Sequence, residues 1–301
     1  MKIVVVGGGF WGAATALIAR KAGHEAVLLD DGNPHGASRN AAGMVHPEWY
    51  KRATGDIYRI PNHWSKAHIT ESIDWLVTEW GASDAGELFS SYYAPERWRH
   101  KPGLRTLRDP MHILQAAEPV RAHVSRLARV AQGWVAQTTT GDVYEATAVI
   151  LATGAWTDDL LRASGYPELG VTILRGHALV VGGTFATDIP MTRYVAPYRH
   201  YTLRPWQERG QWRLGDTVER TISDDRAAAT LETLRAFGGT MLPDLEERTV
   251  LDGYRPIWPK RGMGTIRIDT GLIVATGGHR IGLGVAALVA HEALQRTEEN
   301  A

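Results

Sequence analysis

Three glycines near the amino terminus have the spacing of a phosphate-binding turn. Gly7, Gly9 and Gly12 form G-x-G-x-x-G between an apolar run and a helical pattern. The first glycine allows a tight turn, the second lets a pyrophosphate approach the backbone, and the third lets helix and strand pack closely. The free N–H groups at a helix N-terminus attract an anion. The sequence therefore predicts that this turn binds a dinucleotide.

Two acidic residues follow where a dinucleotide presents its ribose. Asp30 ends the next apolar run, eighteen residues after Gly12. A carboxylate at this position can accept hydrogen bonds from both ribose hydroxyls. The neighbouring Asp31 would repel a 2′-phosphate, which argues against NADP.

Two further kinds of glycine-rich turn distinguish NAD from FAD. The segment SRNAAG covers residues 38–43. The segments LATGAW (151–156) and ATGG (275–278) each lie at the end of an apolar run. Loops at strand ends can converge on one extended ligand even when they are distant along the chain. NAD needs only the first turn, but FAD, with its bulky isoalloxazine, could use them all. These turns favour FAD.

The pattern of elements predicts how these turns are positioned. Residues 3–6 and the segment HEAVLLDD read as strands around a helix that stops at Gly23, and residues 148–151 read as a further buried strand. From residue 171 to about residue 250 the pattern is strand-rich, with one helix near residues 224–237. We predict an α/β protein with a Rossmann-like, glutathione-reductase-type FAD-binding domain and a second, α+β substrate domain on a mostly antiparallel sheet. The FAD-binding domain is assigned residues 1–58, 105–165 and 253–301, and the substrate domain residues 59–104 and 166–252.

Composition limits the other classes of function. The 301 residues carry 33 basic and 33 acidic side chains, so there is no net field for nucleic acid or an anionic membrane. The absence of cysteine excludes disulfides, iron–sulfur clusters and cysteinyl cofactor links. The histidines lack metal-ligand spacing, so we propose no metal. Without a signal peptide pattern or a long apolar run, we expect a soluble, cytoplasmic protein.

Taken in order, these motifs resemble the amino-acid-oxidising flavoenzymes of the glycine oxidase and D-amino-acid oxidase family. The resemblance rests on the first turn with Asp30, followed by SRNAAGM, VILATGAW, LRGHALVV, GDTVE, GYRP and ATGGHRIGLG. It touches most of the chain outside residues 52–108. It implies that FAD is bound in an extended form under the sheet of the second domain, and that this chain is a shortened member.

The resemblance also implies which residues line the cofactor. They are Gly7, Gly9, Phe10, Trp11, Gly12, Asp30, Asp31, Ser38, Arg39, Asn40, Ala42, Gly43, Met44, Val124, Ala152, Thr153, Gly154, Trp156, Gly278, His279, Arg280, Ile281, Gly282 and Leu283. Val124 would meet the adenine through its backbone, and residues 278–283 would place a helix N-terminus near the N1–C2=O edge of the flavin. Some relatives attach FAD through a histidine where this chain has Asn40, so we expect non-covalent FAD.

Four residues are candidates for contact with the substrate. By resemblance, Arg255 in GYRP corresponds to the arginine that binds the substrate carboxylate, and Arg280 to a second arginine of glycine oxidase-like members. A guanidinium suits a carboxylate bidentately. Tyr198 and Tyr201 lie where relatives project a tyrosine toward the substrate. Alternatives stay open: a structural salt bridge or a solvated position for either arginine, and packing on the sheet for either tyrosine.

The function implied is oxidation of the C–N bond of an amino acid or related amine, by hydride transfer from the α-carbon to flavin N5. O₂ or another acceptor would reoxidise the flavin. Lys260 and Arg261 stand where the family often has aspartate and glycine, which leaves the substrate open, and the oligomeric state is unknown. One alternative is a flavoenzyme for a hydroxy acid or a biosynthetic intermediate. Another is an FAD-containing subunit whose partner covers exposed tryptophans, namely Trp49, Trp64, Trp75 and Trp80.

Overall fold

The structure is a computed structural model of the chain. It describes residues 1–41, 43–45, 60–80, 83–84, 87–91, 94–101, 105–106, 110–184, 191–196, 199–206, 210–215, 223–242, 244–259, 261–279 and 282–299.

The described residues form six helices and nineteen strands. The helices within the described residues are α1 (Phe10–Lys21), α2 (Lys66–Trp80), α3 (Pro110–Ala116), α4 (Thr157–Ala163), α5 (Asp224–Met241) and α6 (Ala286–Glu298). The strands up to residue 151 are β1 (Lys2–Val6), β2 (Glu25–Asp30), β3 (Met44–Val45), β4 (Ser83–Asp84), β5 (Glu87–Ser91), β6 (Ala94–Lys101), β7 (Arg105–Thr106), β8 (Val120–Arg121), β9 (Val124–Val130), β10 (Gly133–Thr138), β11 (Val143–Ala146) and β12 (Ala148–Leu151). The later strands are β13 (Thr172–Gly182), β14 (Met191–Ala196), β15 (Arg199–Pro205), β16 (Gln211–Gly215), β17 (Glu246–Ile257), β18 (Gly264–Asp269) and β19 (Leu272–Thr276).

The first sheet is mostly parallel and carries the glycine-rich turns at its strand ends. Its order is β18-β19-β12-β1-β2-β8, and β1 pairs in parallel with both β2 and β12. Every residue of β12 is buried, as expected of a strand covered on both faces. Ile3 and Val5 of β1 face a core that includes α1 and α6, whereas Val4 and Val6 face β9, β10 and α4. The carboxyl ends of β1, β12 and β2 therefore lie side by side.

The second sheet is antiparallel, in the order β14-β15-β16-β13-β17. Helix α5 covers one of its faces, because Leu179 and Leu214 pack with Leu234 and Phe237 of that helix. The predicted fold class, a parallel α/β sheet with a second, mostly antiparallel sheet, is confirmed.

Helix α2 lies within residues 59–104, the first segment assigned to the substrate domain, and packs against the FAD-binding domain's helices. Its residues Ile69, Ile73 and Leu76 share a core with α1 and α6. The domain boundaries remain a prediction. The expectation of exposed tryptophans is wrong for Trp64 and Trp80, which are 6% and 7% exposed.

Trp75 is partly buried against the same core and meets Trp80 edge-on at 4.6 Å between ring centroids. These aromatic rings pack against the core that α2 shares with α1 and α6. Trp49 lies outside the described residues. In the part of the chain that the structure describes, no helix combines the length and apolar character needed to cross a membrane.

Candidate cofactor and substrate site

The first glycine-rich turn joins β1 to α1 without room for side chains. Gly7 has a φ of +101°, and a Cβ on it would lie 2.5 Å from the carbonyl oxygen of Ala152. A Cβ on Gly12 would lie 1.8 Å from the carbonyl oxygen of Gly7. The helix, the turn and β12 therefore converge through backbone contact, as a phosphate-binding turn requires.

Ser38 of the second turn lies at the N-terminus of α1. Its Oγ accepts a hydrogen bond from the N–H of Phe10 at 2.9 Å. A Cβ on Gly9 would approach the same Oγ to 2.9 Å. The structure thus brings residues 9, 10 and 38 together at the positive end of the helix dipole.

Asp30 is anchored beside the first turn at the end of β2. Its Oδ1 accepts the N–H of Gly8 at 2.9 Å, and its Oδ2 accepts the N–H of Gly32 at 3.1 Å. Arg39 forms an ion pair with Oδ2. Both side chains are largely buried, at 13% and 21% exposure. The carboxylate predicted to bind ribose is therefore held in place, and its partner Arg39 comes from the second turn.

Asp31 and Val124 lie next to this carboxylate. Asp31 accepts the N–H of Asn33 at 2.9 Å and contacts His123 Nδ1 at 3.1 Å. Val124 begins β9, and its side chain is buried in the core with Val4. The contact of the Val124 backbone with an adenine stays a prediction.

Asn40 uses its side chain within the protein. Its Nδ2 donates to the carbonyl oxygens of Pro34 at 2.7 Å and Gly36 at 3.0 Å. Gly43 has a φ of +68° and leads into β3 at Met44, of which only the backbone is described. Ala42 lies outside the described residues.

The turn after β12 connects both sheets. The N–H of Ala152 donates to the carbonyl oxygen of Val6 at 2.8 Å, and Thr153 Oγ1 lies 3.2 Å from Thr157 Oγ1. Gly154 has a φ of +57° and begins a single 3-10 turn that ends at Trp156. The Trp156 ring stacks on Tyr254 of β17 with a centroid distance of 6.2 Å.

Trp11 links α1 to the last glycine-rich turn. Its Nε1 donates to the carbonyl oxygen of Gly282 at 2.6 Å, and a Cβ on Gly278 would lie 2.8 Å from its ring. Trp11 and Leu283 are buried in the same core. The Trp11 side chain thus packs between protein segments, and its contact with the cofactor stays a prediction.

Helix α6 begins farther from the last glycine-rich turn than the sequence predicts. Gly277 and His279 both have positive φ values, +89° and +37°. Helix α6 begins at Ala286, after Leu283 rather than within residues 278–283. The segment is therefore mostly turn, with the helix dipole behind it. Arg280 and Ile281 lie outside the described residues.

Arg255 lies in β17, directly opposite Leu174 of β13. It is partly buried. Tyr198 lies outside the described residues, and only the backbone of Tyr201 is described, in β15 opposite Arg193. The structure therefore describes the environment of one of the four predicted substrate residues.

A charged cluster that the sequence did not suggest ties the second sheet to the Asp31–Asn40 loop. Asp252 accepts two hydrogen bonds from Arg175, at 3.0 and 2.9 Å. His177 and His35 each approach the same carboxylate to 3.4 Å. Hydrogen bonds to Asp252, and then to Asp224, raise the pKa of Arg175 above its ordinary value.

Arg213 is a second buried charge that the sequence did not suggest. It is 1% exposed, and its Nη2 donates to the carbonyl oxygen of Asn40 at 2.8 Å.

The described residues fit a bound dinucleotide. Glycines leave room for a pyrophosphate at the start of α1, and a carboxylate held by backbone N–H groups stands at the end of β2. The turn at residues 151–156 also contacts the second sheet, through Trp156 and Tyr254. Each cofactor residue named from the sequence stays a prediction, although most described ones lie on these adjoining turns.

Comparison with known proteins agrees with this geometry. The family model described as "FAD dependent oxidoreductase" (DAO) matches residues 2–116 and 113–296. A glycine oxidase from Pseudomonas putida is 27% identical, over 95% of this chain and 91% of that protein.

Solved structures share the fold. Glycine oxidase from Geobacillus kaustophilus has a TM-score of 0.71 and 18% identity, covering 100% of this chain and 95% of that one. Iminodiacetate oxidase from Chelativorans sp. BNC1 has a TM-score of 0.72 and 19% identity, covering 100% and 96%. Because the family model matches nearly the whole chain, this protein belongs to the DAO family of FAD-dependent oxidoreductases.

Proposed function

We propose that this FAD-dependent enzyme oxidises the C–N bond of an amino acid or a related amine, with Arg255 binding the substrate carboxylate. The observation that carries the proposal is the position of Arg255 on β17, beside residues that contact Asn40 and the turn at residues 151–156, both predicted to line the cofactor. The glycine oxidase that resembles this chain, and the amino-acid oxidases that share its fold, support the same class of substrate.

The first contact comes from Gly253, two residues before Arg255. A Cβ on Gly253 would lie 2.9 Å from the Cβ of Asn40. Side chains two residues apart on a strand point to the same face. Arg255 is therefore directed to the side of the sheet on which residues 38–43 lie.

The second contact comes from Pro256, which follows Arg255. Its Cγ lies 3.9 Å from the position of a Cβ on Gly154. On the other side, Tyr254 stacks between Trp156 at 6.2 Å and His35 at 5.0 Å. These contacts fix the strand on both sides of Arg255.

A guanidinium that pairs with the substrate carboxylate would orient the amino acid as well as bind it. A charge-assisted hydrogen bond to a carboxylate contributes about 1.5 to 3 kcal/mol, and a bidentate pair also fixes direction. Non-covalently bound FAD would supply the hydride acceptor, with O₂ or another acceptor to reoxidise it. The neutral amino group would become an iminium group, which water would hydrolyse to the oxo acid and ammonium. The chain itself would contribute orientation and exclusion of water, with no protein acid or base required.

Anaerobic reduction of the bound flavin tests the proposal. The purified yellow protein is mixed, without air, with matched sets of compounds: an amino acid, its decarboxylated amine and its hydroxy acid. We expect bleaching by amino acids at the lowest concentrations, and weaker or no bleaching by the hydroxy acids. Bleaching by hydroxy acids alone would overturn the proposal, as would an FAD-loaded protein that no amine or amino acid reduces.

A further inference from the structure

Arg213 is a fully buried cation that the proposed mechanism does not use. It lies in the middle of β16 and is 1% exposed. Its neighbours Trp212 and Leu214 pack in the core under α5. Because side chains alternate along a strand, Arg213 points to the face of the sheet opposite α5.

Arg213 and Arg255 share that face. Arg213 pairs with Val180 of β13, and Arg255 pairs with Leu174 of the same strand. Leu174 and Val180 are six positions apart along β13. Because side chains alternate along a strand, the side chains of all four residues point to the same face. The partners are roughly 20 Å apart along β13 at about 3.3 Å per residue. The two cations therefore serve different places on one surface.

The segment of residues 38–43 contacts the sheet between these cations. Gly176 of β13 and Gly253 of β17 lie directly opposite each other, between the positions of Arg255 and Arg213. Asn40 approaches Gly253 so closely that a Cβ on this glycine would lie 2.9 Å from its own Cβ. Gly253 thus leaves the room that Asn40 needs.

Arg213 fixes the segment at this crossing. Its Nη2 donates a 2.8 Å hydrogen bond to the carbonyl oxygen of Asn40, and its guanidinium carbon lies 5.8 Å from the centroid of the Trp206 ring. Trp206 and Asn40 are themselves buried, at 5% and 8% exposure. A guanidinium stays protonated in proteins, so this is a charge-assisted bond in a site that excludes water.

We propose that Arg213 is a positioning residue for the cofactor: by holding the Asn40 carbonyl across the Gly176–Gly253 pair, it sets the path of residues 38–43 against FAD. The inference rests on the proposed role of residues 38–43 in lining the cofactor. Ser38 and Arg39 of that segment reach the N-terminus of α1 and Asp30. A shift at Asn40 would therefore be transmitted to the predicted pyrophosphate and ribose contacts.

The test compares variants of Arg213 in the full chain loaded with FAD. Arg213→Met keeps an unbranched, apolar stem of shorter length and removes the donors, whereas Arg213→Lys keeps a charged donor. The readouts are the visible circular dichroism of the bound flavin and the dissociation constant of FAD, both measured without substrate. We expect Arg213→Met to change the spectrum and to raise the dissociation constant about tenfold or more, in line with the loss of one charge-assisted bond. Arg213→Lys should restore part of both.

Two other variants separate positioning from general stability. Gly253→Ala displaces Asn40 from the opposite side and should change the same two readouts. Leu214→Ala removes a fully buried side chain from the α5 face of the same strand. It should lower the melting temperature and leave the spectrum and the FAD affinity close to wild type.

The proposal is overturned if folded Arg213→Met has the wild-type spectrum and FAD affinity, or if Leu214→Ala weakens FAD binding equally. If Arg213→Met does not fold, Gly253→Ala decides. A changed flavin spectrum and weaker FAD binding in this variant support the proposal, and a wild-type spectrum with wild-type FAD affinity overturns it. Because no substrate is used, failure here is distinct from failure of the amine panel.

Discussion

Replacing Gly12 with alanine should destabilise the protein although alanine is the better helix former. Gly12 lies inside α1, where exchanging glycine for alanine ordinarily stabilises a helix by up to about 1 kcal/mol. Here a Cβ would lie 1.8 Å from the carbonyl oxygen of Gly7, well inside the 3.4 Å at which ordinary contact begins. The obstacle is backbone, so α1 must move away from β1. Forced overpacking of this kind costs about 1 to 3 kcal/mol.

Gly239 is the matched control. It lies in α5, and a Cβ on it would meet nothing within 4 Å. Gly239→Ala should therefore raise stability slightly through helix propensity. The same chemical change is thus expected to have opposite signs at the two positions.

Thermal unfolding and FAD titration measure both effects. In a chain of this size, each kcal/mol lost lowers the melting temperature by roughly 2 to 4 °C. We also expect Gly12→Ala to bind FAD at least tenfold more weakly, because the N–H groups of the first helical turn move with the helix. A Gly12→Ala protein as stable as Gly239→Ala, with wild-type FAD affinity, would refute this account of the turn.

Three further predictions follow from the site. Arg255→Met should raise the concentration of amino acid that half-reduces the flavin by roughly 10- to 150-fold and should leave the decarboxylated amine unaffected, since one charge-assisted bond of about 1.5 to 3 kcal/mol is lost; equal effects on both compounds would contradict this role. Asp30→Ala should weaken FAD binding in a titration more than Asp31→Ala does, because Asp30 holds the backbone of the first turn; the reverse order would count against that anchor. Burial raises the pKa of Glu292, but hydrogen bonds from Thr265, Arg296, His63 and Trp64 outweigh it and hold the pKa below its ordinary value. This carboxylate therefore stabilises the fold above its unfolded-state pKa, and the contribution is lost as the pH falls through the lower folded-state pKa; melting curves of Glu292→Gln should lose that part of the acid sensitivity, and an unchanged acid profile would argue against it.

The turn that begins the chain was predictable because its signals are local. Gly7, Gly9 and Gly12 each serve a backbone constraint, and the buried run at residues 148–151 becomes β12 with the same bounds. Asp30 follows from the length of one strand–helix–strand unit. Its ion pair with Arg39 did not follow, because that contact depends on how residues 33–38 fold back toward β2.

The sequence of helix α2 carries apolar residues at helical spacing. Ile69, Ile73, Leu76 and Trp80 recur at helical spacing and form its buried face. The polar residues between them made the region look exposed. The periodicity, rather than the mean hydropathy, would have predicted both the helix and the burial of Trp80.

The burial of Arg213 could not have been read from the sequence. An arginine between Trp212 and Leu214 in a strand normally indicates a solvent-facing position, because alternation puts it opposite the apolar side chains. On that face it meets a residue distant in the chain, Asn40, whose carbonyl oxygen accepts its hydrogen bond. Only the assembled fold brings the two together.

The proposed reaction breaks the Cα–H bond of an amino acid held by Arg255. The most direct measurement is the rate of anaerobic flavin reduction at saturating amino acid, compared between the ordinary substrate and one carrying deuterium at the α-carbon. We expect both substrates to bleach the flavin and to release ammonia, and we expect the deuterated substrate to bleach it more slowly. A rate that is insensitive to deuterium, or reduction without ammonia, would contradict it.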